Sequence, residues 1–122
     1  MKKNILIVED DQFFRELLNK KLLSLGYSIT EAANGEDGVN LTKQKKPDLI
    51  ILDLLLPSID GFEVLSKVKT NPETSSIPVI IVSNLGQQED VERGLKLGAS
   101  DYMIKSQFDV ESIVAKIKSI IK

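Results

Sequence analysis

The hydrophobic pattern predicts an open, doubly wound α/β sheet of parallel strands with helices on both faces. Three observations carry that prediction. Short continuous apolar runs at Ile5–Val8, Leu49–Leu52 and Val79–Val82 read as central strands, because a strand with one wet face alternates apolar and polar residues instead. Helical stripes fall between the runs, so strand and helix alternate along the whole chain. The chain of 122 residues has enough length for one core and little room for a second module, so residues 1–122 are expected to form a single domain.

The elements follow in order. Ile5–Val8 is the first strand, and Phe14, Leu17, Leu18, Leu22 and Leu25 form the first helical stripe, closed by Gly26. Ser28–Ala32 alternates, as an edge strand does. Residues Gly35 to Lys46 give the weakest helical pattern, since they carry Gly38 and few apolar positions. Leu49–Leu52 is the third strand. Phe62, Leu65 and Val68 mark the next helix, and Val79–Val82 the next strand. A weaker stripe of Val91, Leu95 and Ala99 leads to a short fifth strand at Tyr102-Met103-Ile104. Val110, Ile113, Val114, Ile117, Ile120 and Ile121 form the final stripe.

Composition removes whole classes of chemistry. The chain has no cysteine and no histidine, so it can form no disulfide, thiolate metal site, cysteine nucleophile or phosphohistidine of its own. Its net charge of -2 is small and the signs are mixed, so no face need be a nucleic-acid footprint, although lysines gather near the C-terminus. Direct nucleic-acid binding by this domain is not expected. No apolar stretch approaches a membrane span, and the Met-Lys-Lys start runs straight into a short strand; a cytoplasmic location is expected, with no membrane partner.

In open parallel sheets, ligands bind outside the carboxyl ends of the strands. Asp53 closes the third apolar run, and Glu9, Asp10 and Asp11 follow the first. Ser83 and Lys105 stand just past two further strands, so five polar residues, Glu9, Asp10, Asp53, Ser83 and Lys105, are expected to share one rim. Clustered carboxylates repel and need a cation or a shared proton. With oxygen ligands alone, a hard divalent ion fits, and Mg2+ suits a site of a few carboxylates, waters and a phosphate. Lys105 supplies a mobile positive charge and Ser83 a hydroxyl donor, which together describe phosphoryl transfer to a carboxylate. Asp11 is expected to cap the following helix, and Asp60 to serve the turn before Gly61.

Four segments at this rim carry a resemblance. Ile-Leu-Ile-Val-Glu9-Asp10-Asp11, Asp53-Leu-Leu-Leu-Pro57-Ser-Ile-Asp60-Gly61, Pro78-Val-Ile-Ile-Val-Ser83 and Gly98-Ala-Ser-Asp-Tyr102-Met-Ile-Lys105 resemble the receiver domain of bacterial two-component response regulators, in the right order and spacing from Lys3 to about Ile121. The resemblance implies a flavodoxin-like sheet of five strands in the order 2-1-3-4-5 with five helices. It makes Asp53 the phosphoacceptor for a sensor histidine kinase or histidine phosphotransfer protein. It also makes Asp10 a direct Mg2+ ligand, Glu9 a ligand partly through water, and Leu55 a ligand through its backbone carbonyl. Ser83 matches the switch hydroxyl, Tyr102 the switch aromatic, and Lys105 the lysine that contacts the phosphoryl group. Such a domain is not a conventional enzyme, although it catalyses its own Mg2+-dependent phosphorylation and dephosphorylation. Its fourth helix, fifth strand and fifth helix relay the signal to an output domain or partner. Arg93, Asp101, Glu111 and Lys116 lie there and are candidates for charge pairs across a phosphorylation-dependent homodimer.

The chain departs from the family pattern in two places. Ser106 follows Lys105 where proline joined by a cis bond is usual, and a cis bond before a non-proline residue costs about 2.5–4 kcal/mol. A trans bond, a rearranged loop and a displaced lysine amine are the expectation. Leu55 and Leu85 are expected to border the acceptor and hinder water, slowing loss of the phosphoryl group. Competing readings are weaker on the residues themselves. A metal-dependent phosphohydrolase typically has a second acid where this chain has Leu55, and a nucleotide- or flavin-binding module would need a Gly-rich loop in place of Glu9-Asp10-Asp11. A docking domain that takes no phosphate is the remaining alternative.

Overall fold

The computed structural model describes residues 2–121. Five parallel strands form one sheet in the order β2-β1-β3-β4-β5, namely β1 (Asn4–Val8), β2 (Ser28–Ala32), β3 (Leu49–Leu52), β4 (Val79–Ser83) and β5 (Asp101–Ile104). The helices between them are α1 (Gln12–Ser24), α2 (Gly35–Lys45), α3 (Gly61–Thr70), α4 (Gln88–Lys96) and α5 (Val110–Ile120). The predicted strand order and helix count are both present.

Period-two geometry divides the core into two layers. Ile5, Ile7, Leu49, Ile51, Ile80, Val82 and Met103 face one side, where Leu18 and Leu22 of α1 and Ile113, Val114 and Ile117 of α5 cover them. Leu6, Val8, Ile50, Leu52, Val79 and Ile81 face the other, under α2 and α3. Burial on both faces is what makes the central strands continuously apolar through Ile5–Val8, Leu49–Leu52 and Val79–Val82, and β1, β3 and β4 lie fully inside the order while β2 and β5 are the edges.

The helices begin where side chains satisfy their free N–H groups. Asp11 Oδ1 accepts from the N–H of Phe13 and Phe14 at 3.0 and 3.3 Å, and Asp60 Oδ1 accepts from Glu63 N–H at 3.0 Å. Asn34 caps α2 in the same way, through Asp37 N–H at 2.8 Å. That cap helps explain why the weakest helical pattern is a helix after all. Gly38 supplies the other reason: a Cβ there would lie 2.9 Å from Val8 Cγ1, so only glycine lets α2 settle this closely on β1.

Two predicted stripes are narrower than expected. In α1, Leu18 and Leu22 are buried, whereas Leu17 and Leu25 are 44% and 40% exposed; Leu17 lies off the buried line and Leu25 falls past the last helical residue. In α4, Leu95 is 46% exposed and the buried position is Gly94, which lets the helix rest on Ile81 and the Tyr102 ring. Ala99 lies beyond that helix.

Candidate functional site

Parallel pairing brings the strand ends level. Val8 is opposite Leu52, and Asp53 N–H donates to Val8 O at 3.0 Å, so Glu9 and Asp53 leave the sheet side by side. Oxygens of Glu9, Asp10 and Asp53 all lie within 4.8 Å of one another. Glu9 and Asp53 are buried, at 2% and 4% exposure, while Asp10 is exposed and opens the cluster to solvent.

Lys105 completes this group. Its Nζ lies 2.6 Å from Glu9 Oε1 and 3.0 Å from Asp53 Oδ2. The Lys105–Ser106 bond is trans, as expected, and residues Lys105–Gln107 form a single 3-10 turn. The expected displacement of the amine does not occur, because the long side chain reaches back to both carboxylates from the end of β5.

Backbone groups fix the remaining oxygens. Leu55 N–H donates to Asp53 Oδ1 at 3.1 Å, and Asp11 N–H donates to Glu9 Oε2 at 3.0 Å. Leu55 itself is 52% exposed. Arg15 Nη1 donates to the Glu9 carbonyl at 2.8 Å, while its Nε pairs with Glu31 Oε1 at 2.9 Å.

The electrostatics follow from this packing. Burial pushes the Glu9 carboxyl up to about 7, the Asp53 charge adds to the rise, and the hydrogen bond from Lys105 opposes it. Burial alone would lower the Lys105 ammonium, but its hydrogen bond to Glu9 and the charge of Asp53 outweigh this and raise it. Three carboxylates face one ammonium, so the fully ionised cluster keeps an excess of negative charge. An all-oxygen donor set of this kind fits a hard divalent cation.

Ser83 and Tyr102 form a second, adjoining group. Ser83 is the last residue of β4 and is fully buried, and its Oγ accepts from Leu85 N–H at 3.3 Å. The Tyr102 hydroxyl donates to the carbonyl of the same Leu85. Burial, then the charges of Asp90 and Asp53, push the Tyr102 phenol up to about 12, so it is a neutral donor at ordinary pH. One peptide segment thus joins the two residues, with no direct bond between them among the hydrogen bonds of the described residues.

Comparison with known proteins decides the family. The family model described as "Response regulator receiver domain" matches residues 5–118. The chain belongs to that family. Among curated relatives, the receiver domain is 39% identical over 118 residues to the DNA-binding dual master transcriptional regulator RpaA of Synechocystis, covering 97% of this chain and 48% of that protein. The chain spans about half the length of the curated relatives it matches. Among solved structures, it resembles a response regulator from Chloroflexus aurantiacus with a TM-score of 0.90 and 32% identity, covering 98% of each chain. It also resembles a chain in the CheX-CheY-BeF3-Mg2+ complex of Borrelia burgdorferi, with a TM-score of 0.89 and 29% identity, covering 98% of this chain and 90% of that one.

The receiver is therefore a two-component signalling domain. Among the described residues, no helix is long and apolar enough to cross a membrane. The four charged residues named for a dimer each have a partner within the chain. Asp101 pairs with Lys116 at 2.9 Å within the chain, Glu111 pairs with Lys21 of α1 at 3.2 Å, and the Arg93 guanidinium lies 4.1 Å from the centroid of the Phe62 ring in α3. Phe14, whose ring centroid lies 4.6 Å from Lys105 Nζ, and Arg15, which pairs with Glu31 of β2, were not legible as site residues, because these contacts join separate elements and leave no local pattern.

Proposed function

We propose that this receiver accepts a phosphoryl group on Asp53 from a sensor histidine kinase or histidine phosphotransfer protein. The observation that supports it best is the environment of Asp53: a buried carboxylate with Lys105 on one oxygen, the Leu55 N–H on the other, and Glu9 and Asp10 beside it. An Asp53 oxygen forms the new O–P bond as the P–N bond to the donor imidazole breaks, and the nitrogen keeps the bonding electron pair. Lys105 neutralises charge on the phosphoryl oxygens and can leave Glu9 to do so.

Glu9, Asp10, Asp53 and the carbonyl of Leu55 are the groups that would hold Mg2+. When bound, this ion supplies charge neutralisation for the incoming phosphoryl oxygens. Ser83 and Tyr102 carry the signal outward. A hydroxyl that turns toward the phosphoryl group gives up its bond to Leu85 N–H, which frees the segment whose carbonyl holds Tyr102. The surface of α4, β5 and α5 then repacks to control an output domain or partner, in a chain whose relatives are about twice as long. A phosphorylation-dependent homodimer on that surface would require the Asp101–Lys116 pair to exchange partners, and such exposed pairs contribute little alone. A cytoplasmic location fits a phosphohistidine donor.

Incubation with acetyl phosphate and Mg2+, followed by intact-mass measurement, tests the reading. The expected result is a mass gain of one phosphoryl group that Asp53→Asn abolishes. No gain would return the domain to a docking role without phosphate, and a gain that survives Asp53→Asn would move the phosphoryl group to another residue and overturn the reading of Asp53.

A further inference from the structure

We propose that Phe14 is a positioning residue whose ring face holds the Lys105 ammonium at Asp53. The proposal rests on the reading of Asp53 as phosphoacceptor. Lys105 Nζ lies 4.6 Å from the centroid of the Phe14 ring, inside the roughly 6 Å over which a ring quadrupole attracts a cation. The Lys105 side chain is only 13% exposed, so water does little to weaken that attraction.

The ring has a task because, among the described residues, the hydrogen-bond and ion-pair partners of this amine are both charged carboxylates. An ammonium on a four-carbon stem has no rigid fork, so its place is set by what surrounds it. Proline after the lysine would fix the following φ, whereas Ser106 continues into a single 3-10 turn with no such constraint. The remaining partners are Glu9 and Asp53, and both belong to the cluster suited to a divalent cation. A cation drawn to those oxygens competes with the ammonium for them. The ring takes no part in that competition and keeps the amine at the site.

The segment from Glu9 to Phe14 builds both sides of this arrangement. Asp11 N–H donates to Glu9 Oε2 at 3.0 Å, and Asp11 Oδ1 accepts from Phe14 N–H at 3.3 Å. One N-cap therefore orients a carboxylate of the cluster and the ring that faces the amine. The first turn of α1 is an extension of the acceptor site.

The test replaces Phe14 with singly, triply and fully fluorinated phenylalanine, which keep the ring in place while draining its face of electron density; Phe14→Leu accompanies the series. Two quantities are read. One is the rate of phosphorylation by acetyl phosphate with Mg2+. The other is the NMR signal of the Lys105 ammonium without metal, assigned through Lys105→Arg. The expected result is a stepwise fall in rate, about three- to tenfold for the fully fluorinated ring, with the ammonium signal moving in step toward that of an exposed lysine. An ammonium signal unchanged across the fluorinated rings overturns the proposal. A rate that falls in Phe14→Leu but stays flat across those rings also overturns it, since packing alone then accounts for Phe14. If the wild type takes no phosphoryl group while the signal still follows the series, the hold on Lys105 stands and the phosphoacceptor reading falls.

Discussion

Replacing Glu9 by glutamine isolates the charge stored at the strand ends. The wild-type carboxyl is pushed from 4.5 to about 7, chiefly by burial. Because the folded value lies above the unfolded one, the stability tied to the protonated form is fully present below about pH 4.5 and is lost as pH rises through about 7. A shift of this size corresponds to a ceiling of about 3 kcal/mol at about pH 8, since each unit is worth ~1.4 kcal/mol. Glu9 Oε1 is bonded to Lys105 and titrates together with it, and Asp10 leaves the cluster open to solvent, so a discounted figure is about 2 kcal/mol. Glutamine has nearly the same shape and carries no charge. Urea unfolding of both proteins in EDTA should therefore give similar stabilities near pH 4.5, and a variant more stable by about 2 kcal/mol near pH 8. Excess Mg2+ should reverse the order at the higher pH, because a bound cation stabilises the carboxylate and glutamine binds it less well. Stability curves that run parallel from pH 4.5 to 8 in EDTA would refute the reasoning, as they would mean that Glu9 does not carry the cost of the cluster.

Three further outcomes follow from the same geometry. Leu55→Asn and Leu85→Glu should each speed loss of the phosphoryl group from Asp53, by up to about tenfold, since either opens a polar path for water; unchanged decay, followed by intact mass, would contradict this. Gly38→Ala should lower stability by about 1 kcal/mol, the overpacking against Val8 exceeding the gain in helix preference, and the cost should shrink in a Val8→Ala background when both are measured by urea unfolding. Tyr102→Phe should cost about 1 kcal/mol in stability through the lost bond to Leu85 O, and should leave the rate of Asp53 phosphorylation unchanged while weakening phosphorylation-dependent association, measured by light scattering.

What the sequence made legible, and what it did not, divides along a physical line. Apolar runs encode burial on both faces of a strand, so β1, β3 and β4 were readable to within a residue. Polar residues at the ends of those runs encode the rim, which is why Glu9, Asp10, Asp53 and Lys105 meet where expected. Caps are local, so Asp11 and Asp60 were readable as well. Periodicity is less informative where a small residue does the packing. Gly94 is the buried position of α4 and Gly38 a close contact of α2, yet glycine adds nothing to an apolar stripe. Pairings between side chains of distant elements leave no trace in the local pattern. Glu111 turns to Lys21 and Arg93 to Phe62, so two of the residues assigned to one surface are engaged elsewhere. The Lys105 amine belongs to the same class. The backbone after it lost the restraint that its position suggested, but two carboxylates and an aromatic ring, drawn from three other elements, hold the charge in place.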